Sequence, residues 1–136
     1  MSAPSLSLGY ILLYVRDAAA SMAFYETAFG LTRTMLHVEG DKAYGELDTG
    51  STKLGLVSQA QAEDVLGQAP AMPARGAAPQ GVEIGFVTTE VEAAFAHAVA
   101  SGAEAFTAPV SKPWGQMVAY VRDPDGHLIE ICSPMG

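Results

Sequence analysis

The sequence predicts an α+β fold of two βαβββ modules whose mixed sheets curl into a cup. Three observations support that expectation. The order strand, helix, strand, strand, strand occurs twice along the 136 residues. The helix stops Gly30 and Gly102, and the closing-strand residues Gly55 and Glu130, are separated by nearly equal stretches of chain. Finally, strand alternation gives one apolar face and a second apolar face interrupted by a few polar residues.

The first module spans residues 6–58. It opens with the apolar strand "LGYILLYV" (8–15). Residues 17–30 follow as a helix, because apolar positions 18, 22, 25, 28 and 29 recur at spacings of three and four. Asp17 is placed to cap its start and Gly30 to end it. Three strands complete the module at 31–38, 42–48 and 52–58, joined by the turns "EGD" and "TGS". Residues 59–80 form a linker rich in Ala, Pro and Gly, in which "AEDVL" reads as one or two helical turns. The second module spans 81–136. Its strand at 82–88 and helix at 90–102 precede strands at 103–110, 116–122 and 127–133. Pro109 restricts the first of these three to an edge or a strand end, and "DPDG" turns the chain between the last two. The whole makes one domain.

Apolar residues make up 49% of the chain, enough for a substantial core. The net charge of −8 argues against nucleic acid and against an anionic membrane surface, and mildly favours a cationic ligand. A single cysteine, Cys132, rules out an internal disulfide and fits a reducing, cytoplasmic setting. The start "MSAPSLSLG" lacks the pattern of a signal peptide, and no apolar run is long enough to span a bilayer.

The helices must cover one face of each sheet, and Leu54, Leu56, Ile84, Phe86, Ile129 and Ile131 suit that face. The opposite face then carries Tyr10, Gly55, Glu83 and Glu130 among apolar neighbours, a pattern that suits a ligand-binding wall. Glu130 lies inside its strand, where an unpartnered carboxylate is costly; Lys53, Arg122 or a metal ion would serve as its partner. Glu83 stands near a strand start, where a solvated role is the plainer alternative.

With "GYILLYVRD…FYETAFGL" at one end and "PWGQMVAYVRDPDGHLIEI" at the other, the chain resembles the vicinal oxygen chelate superfamily, which includes glyoxalase I, extradiol dioxygenases and bleomycin-resistance proteins. The resemblance implies sheets curled around a cavity and a homodimer. It also implies four metal-ligand positions, which fall here on Tyr10, Gly55, Glu83 and Glu130. Only Glu130 has the expected identity. Glu83 is an acceptable ligand, Tyr10 a poor one and Gly55 none, so no tight metal centre is expected, and Glu83 and Glu130 are weak candidates for Mg²⁺ or Mn²⁺.

Two functions remain in view. One is a resistance-like protein that binds a small organic molecule, cationic and aromatic, through Tyr10, His37, Gly55, Glu83, Trp114 and Glu130, without any cofactor. Here Tyr10 donates a hydrogen bond and Trp114 stacks. The other is a metal-assisted lyase, isomerase or dioxygenase, with Glu83 and Glu130 as catalytic carboxylates.

Overall fold

The computed structural model describes residues 2–135. The elements run β1 (Tyr10–Val15), α1 (Ala18–Phe29), β2 (Thr32–Glu39), β3 (Lys42–Asp48), β4 (Lys53–Ser58), α2 (Gln59–Leu66), β5 (Ile84–Val87), α3 (Val91–Ala100), β6 (Glu104–Ser111), β7 (Met117–Arg122) and β8 (Leu128–Cys132). Asp17 caps α1 by accepting from the Ala20 N–H, and Gly30 ends it in the left-handed conformation. Pro109, which cannot donate to a ladder, sits in β6, an edge strand whose pairing with β7 is irregular on either side of Thr107.

The strands form two four-stranded sheets, in the orders β1-β4-β3-β2 and β5-β8-β7-β6. The first pair of each is parallel and the rest are antiparallel. This corrects the predicted curled cup. Among the described residues no ladder joins β1 to β5, so the sheets stay separate, and neither closes. Where β1 and β5 approach, Ile11, Leu12 and Leu13 line a narrow cleft together with Val82, Glu83 and Ile84. Alternation in a strand decides which way side chains point, but it does not decide whether two edges exchange hydrogen bonds or how far a sheet bends.

Helices α1 and α3 pack on one side of the sheets and against each other. Beneath them lie Leu13, Val15, Leu54, Leu56, Ile129 and Ile131, all buried. Gly45 of β3 allows α1 to come close, since a Cβ there would lie 2.6 Å from Met22 Sδ. Phe29 and Phe86, with ring centroids 4.8 Å apart, join the two halves.

The "DPDG" turn is part of this core. Asp123 is completely buried. One of its oxygens accepts from the Asp125 and His127 N–H groups at 2.9 and 2.8 Å, and the other from the Tyr25 hydroxyl at 2.7 Å. Asp125 binds the Arg16 backbone and guanidinium and the Ser21 hydroxyl. Buried Arg122 donates to the carbonyls of Ala74, Ala77 and Gly126, and Arg16 to that of Pro73. These bonds fasten the connecting segment to both halves.

Candidate functional site

Because Ile129 and Ile131 of β8 are packed beneath the helices, Glu130 between them must project from the opposite face. The same alternation puts Leu12 and Tyr14 of β1, Tyr44 and Glu46 of β3, Gly55 and Val57 of β4, and Tyr120 of β7 on this side. It is the face that α1 and α3 leave uncovered.

On the second sheet, Tyr120 stands directly opposite Glu130, and its hydroxyl donates to Glu130 Oε2 at 3.2 Å. Gly85 flanks Glu130 on the other side, where its missing side chain leaves the carboxylate open; a Cβ there would reach within 3.5 Å of Glu130 Oε1. Glu83 precedes β5 and is exposed. Partial burial of its carboxyl, and then the Glu130 charge, raise Glu83 above the usual carboxylate range. Partial burial followed by the charges of Glu130 and Glu83 pushes Tyr120 up to about 12. The Cys132 thiol is raised by burial and then by Glu130, which makes it a poor nucleophile. Glu83, Tyr120, Glu130 and Cys132 thus form one electrostatic cluster.

On the first sheet, Gly55 lies between Leu12 and Glu46. A Cβ at Gly55 would run into the Leu12 side chain and come within 3.2 Å of the Tyr44 hydroxyl. That hydroxyl donates to Glu46 at 2.6 Å. Burial, and then the bond to Glu46, keep the Tyr44 phenol far from ionising, with Tyr10 a smaller contributor. Tyr10 itself opens β1 and is exposed.

Of the predicted residues, Glu83 stands near Glu130, Tyr10 and Gly55 belong to the first sheet, and His37 and Trp114 lie further out. His37 is on edge strand β2, opposite Tyr44, exposed and 3.8 Å from Glu39. Trp114 is in the β6–β7 connection, half-exposed, with its indole N–H donating to Gln116 Oε1 at 2.8 Å. Gln116 in turn bonds the Ser133 carbonyl, just beyond β8. Trp114 therefore marks the rim of the second sheet at the Cys132 end.

Among the described residues neither Lys53 nor Arg122, the partners expected for Glu130, forms an ion pair with it. Arg122 is committed to backbone carbonyls, and Tyr120 supplies the hydrogen bond. The hairpin through "DPDG" fixes this register, so counting outward from the turn would have found Tyr120. Glu46 was also overlooked, although it follows Tyr44 at the spacing that keeps one strand face.

The four positions where the resemblance implies metal ligands do not fit a metal ion. Gly55 offers no donor and its space is filled by Leu12 and Tyr44. Among the described residues no group of three or more His, Cys, Asp or Glu side chains could hold one. Nor, among them, is any helix long and apolar enough to cross a membrane.

A groove of about 560 Å³ is on the other side of the second sheet, between the end of α1 and the start of α3, with Phe86 and Ile131 in its wall. Phe86 and Ile131 in that wall point away from Glu130.

The sequence pattern of the Glyoxalase/Bleomycin resistance protein/Dioxygenase superfamily matches residues 7–131. The chain is 30% identical over 127 residues to Uncharacterized protein YraH of Bacillus subtilis (strain 168), covering 93% of this chain and 97% of that protein. It is 25% identical over 114 residues to the Putative glyoxylase CFP32 of Mycobacterium bovis, covering 84% of this chain but only 39% of that one. Among solved structures, a glyoxalase-related enzyme from Fulvimarina pelagi superimposes with a TM-score of 0.81 at 24% identity, over 94% of this chain and 88% of the other. A protein of unknown function from Agrobacterium tumefaciens str. C58 superimposes with a TM-score of 0.76 at 24% identity, over 98% of each chain.

Proposed function

The chain belongs to the glyoxalase/bleomycin resistance protein/dioxygenase superfamily, and from that membership we propose that it binds a small organic cation on the face that α1 and α3 leave open. The superfamily fold suits small-molecule binding in a sheet-lined pocket, and the chemistry of this face narrows the choice. One observation carries the reading: Glu83, raised first by partial burial and then by the charge of Glu130, shares its face with Glu130 and the phenol of Tyr120. Two neighbouring carboxylates with one hydrogen-bond donor between them have an unmet need for positive charge. A cation would supply it, and Tyr10 and Trp114 would add aromatic surface at the margins.

Binding without turnover is favoured over metal-assisted catalysis, because the crowding at Gly55 opposes a full ligand set. The test is a titration of the ¹⁵N-labelled protein with phenethylammonium chloride, followed by NMR. The amides of Gly85, Tyr120 and Glu130 are expected to shift, and Glu130→Gln to weaken binding about tenfold. Affinity should fall as the pH drops through the range where Glu83 protonates. Equal affinity of the wild type and Glu130→Gln, or no binding, would overturn the proposal.

A further inference from the structure

Helix α2 follows β4 without a break and turns back over the open face of the first sheet. The Ser58 hydroxyl holds that corner, accepting from the Gln61 N–H at 3.2 Å and the Ala43 N–H at 2.9 Å. Gly67 ends the helix in the left-handed conformation. Ala62 is its one buried residue, flanked by half-buried Gln59, Ala60 and Gln61. A larger residue would fill the space beside it. As built, a hollow of about 160 Å³ remains, bounded by Leu12, Tyr14, Tyr44, Val57, Gln61 and Val65. Its floor is apolar and aromatic. The Tyr44 hydroxyl is engaged by Glu46, so Tyr44 offers its ring.

Size and position point to an occupant. An apolar cavity of about 150 Å³ in another protein stays dry and takes up benzene. The present hollow is similar in volume, with exposed Val65 at its rim, and accommodates one six-membered ring. Leu12 lines this hollow and also the narrow cleft of about 80 Å³ that contains Glu83. Leu12 is therefore common to the hollow and to the cleft that Glu83 lines.

We infer that the α2-walled hollow is a ring subsite, and that the ligand is an arylalkylammonium: a monocyclic ring against Tyr44 and Val57, with a short arm passing Leu12 toward Glu83 and Glu130. This inference rests on the cation-binding reading above and names the class of cation.

Two probes and two kinds of variant separate the ideas. In NMR titrations of the full chain, phenethylammonium should bind about tenfold tighter than methylammonium and shift the amides of Leu12, Val57 and Ala62. Val65→Trp and Gln61→Trp alter rim positions of the hollow, and Val65 is well exposed, so the fold should tolerate the change. Each should cut the preference for phenethylammonium to about threefold or less and leave methylammonium binding as it was. Glu130→Gln should weaken both probes and keep their ratio. An unchanged ratio in both tryptophan variants, with native melting curves, would refute the ring subsite alone. Indifference of both probes to Glu130→Gln would refute the cation reading beneath it.

Discussion

Replacing Tyr25 with Phe removes a single oxygen atom and tests how the "DPDG" turn is held. Tyr25 is fully buried, and its hydroxyl donates to Asp123 Oδ2 at 2.7 Å. The ring packs edge-on against Phe24 at 5.2 Å and obliquely against Phe29 at 5.7 Å, and a phenylalanine keeps both contacts. What is lost is the donor to a carboxylate that has no exposed surface. A hydrogen bond to a charged group contributes about 1.5–3 kcal/mol, and leaving one buried partner unmatched puts the cost at the upper part of that range. In a chain of this length, 1 kcal/mol moves Tm by about 3–5 °C, so Tyr25→Phe should lower Tm by roughly 7–15 °C. Thermal melts by circular dichroism at pH 7 measure this, with the far-ultraviolet spectrum reporting retention of the fold. In an Asp123→Asn background the same change should cost about half as much, since a neutral acceptor forms the weaker bond. A Tm within about 1 °C of the wild type, or the same loss in both backgrounds, would refute the reasoning.

Two further outcomes follow from the open face. Gly55→Ala forces Leu12 to rotate and crowds the Tyr44 hydroxyl, so it should destabilise by about 1–3 kcal/mol in chemical denaturation. The same crowding should keep Gly55→Glu from completing a metal site, and calorimetric titration with Mn²⁺ should show no stoichiometric uptake. Glu83→Gln probes the carboxylate pair: the fold raises Glu83, so the native state holds its proton more firmly than the unfolded chain, and stability falls as pH rises through that raised range. The variant should therefore gain stability at neutral pH, on the order of 0.5 kcal/mol for so exposed a group, and gain nothing where Glu83 is already protonated. Melting curves that differ equally at acid and neutral pH would contradict this.

The division of faces was legible because it depends only on local rules. Ile129 and Ile131 had to be covered, so Glu130 had to point away; Asp17 and Gly30 bounded α1 through their own backbone chemistry. What escaped depends on partners distant in sequence. Asp123 and Asp125 have the composition of a surface turn, yet both are buried, because Tyr25, Ser21 and Arg16 arrive from the other end of the chain. The cup was expected from the polar points on one face, but separation of the sheets is decided at the β1 and β5 edges. There the ladder of β5 with β8 begins only at Ile84 and leaves Glu83 outside it. A boundary of one or two residues cannot be fixed by alternation. The α2-walled hollow was invisible for a related reason: it exists because a small residue, Ala62, meets the sheet where neighbours leave a gap, and gaps have no sequence pattern.

The choice between recognition and metal chemistry turns on what already occupies each position. A glutamate in place of Gly55 would have to displace Leu12 and compete with the Tyr44–Glu46 hydrogen bond. At Glu130, the Tyr120 hydroxyl already binds one carboxylate oxygen, and Gly85 leaves the other open. A neutral donor of that kind orients a carboxylate without cancelling its charge. Raised by burial and by Glu130, Glu83 marks a place where negative charge is in excess, and a carboxylate pair in that state gains from any cation that fits. A divalent ion would want more donors than the pair supplies, whereas an ammonium needs only acceptors and an apolar support for its carbon atoms. Leu12 and the aromatic floor beside it provide that support, and this asymmetry favours an organic cation.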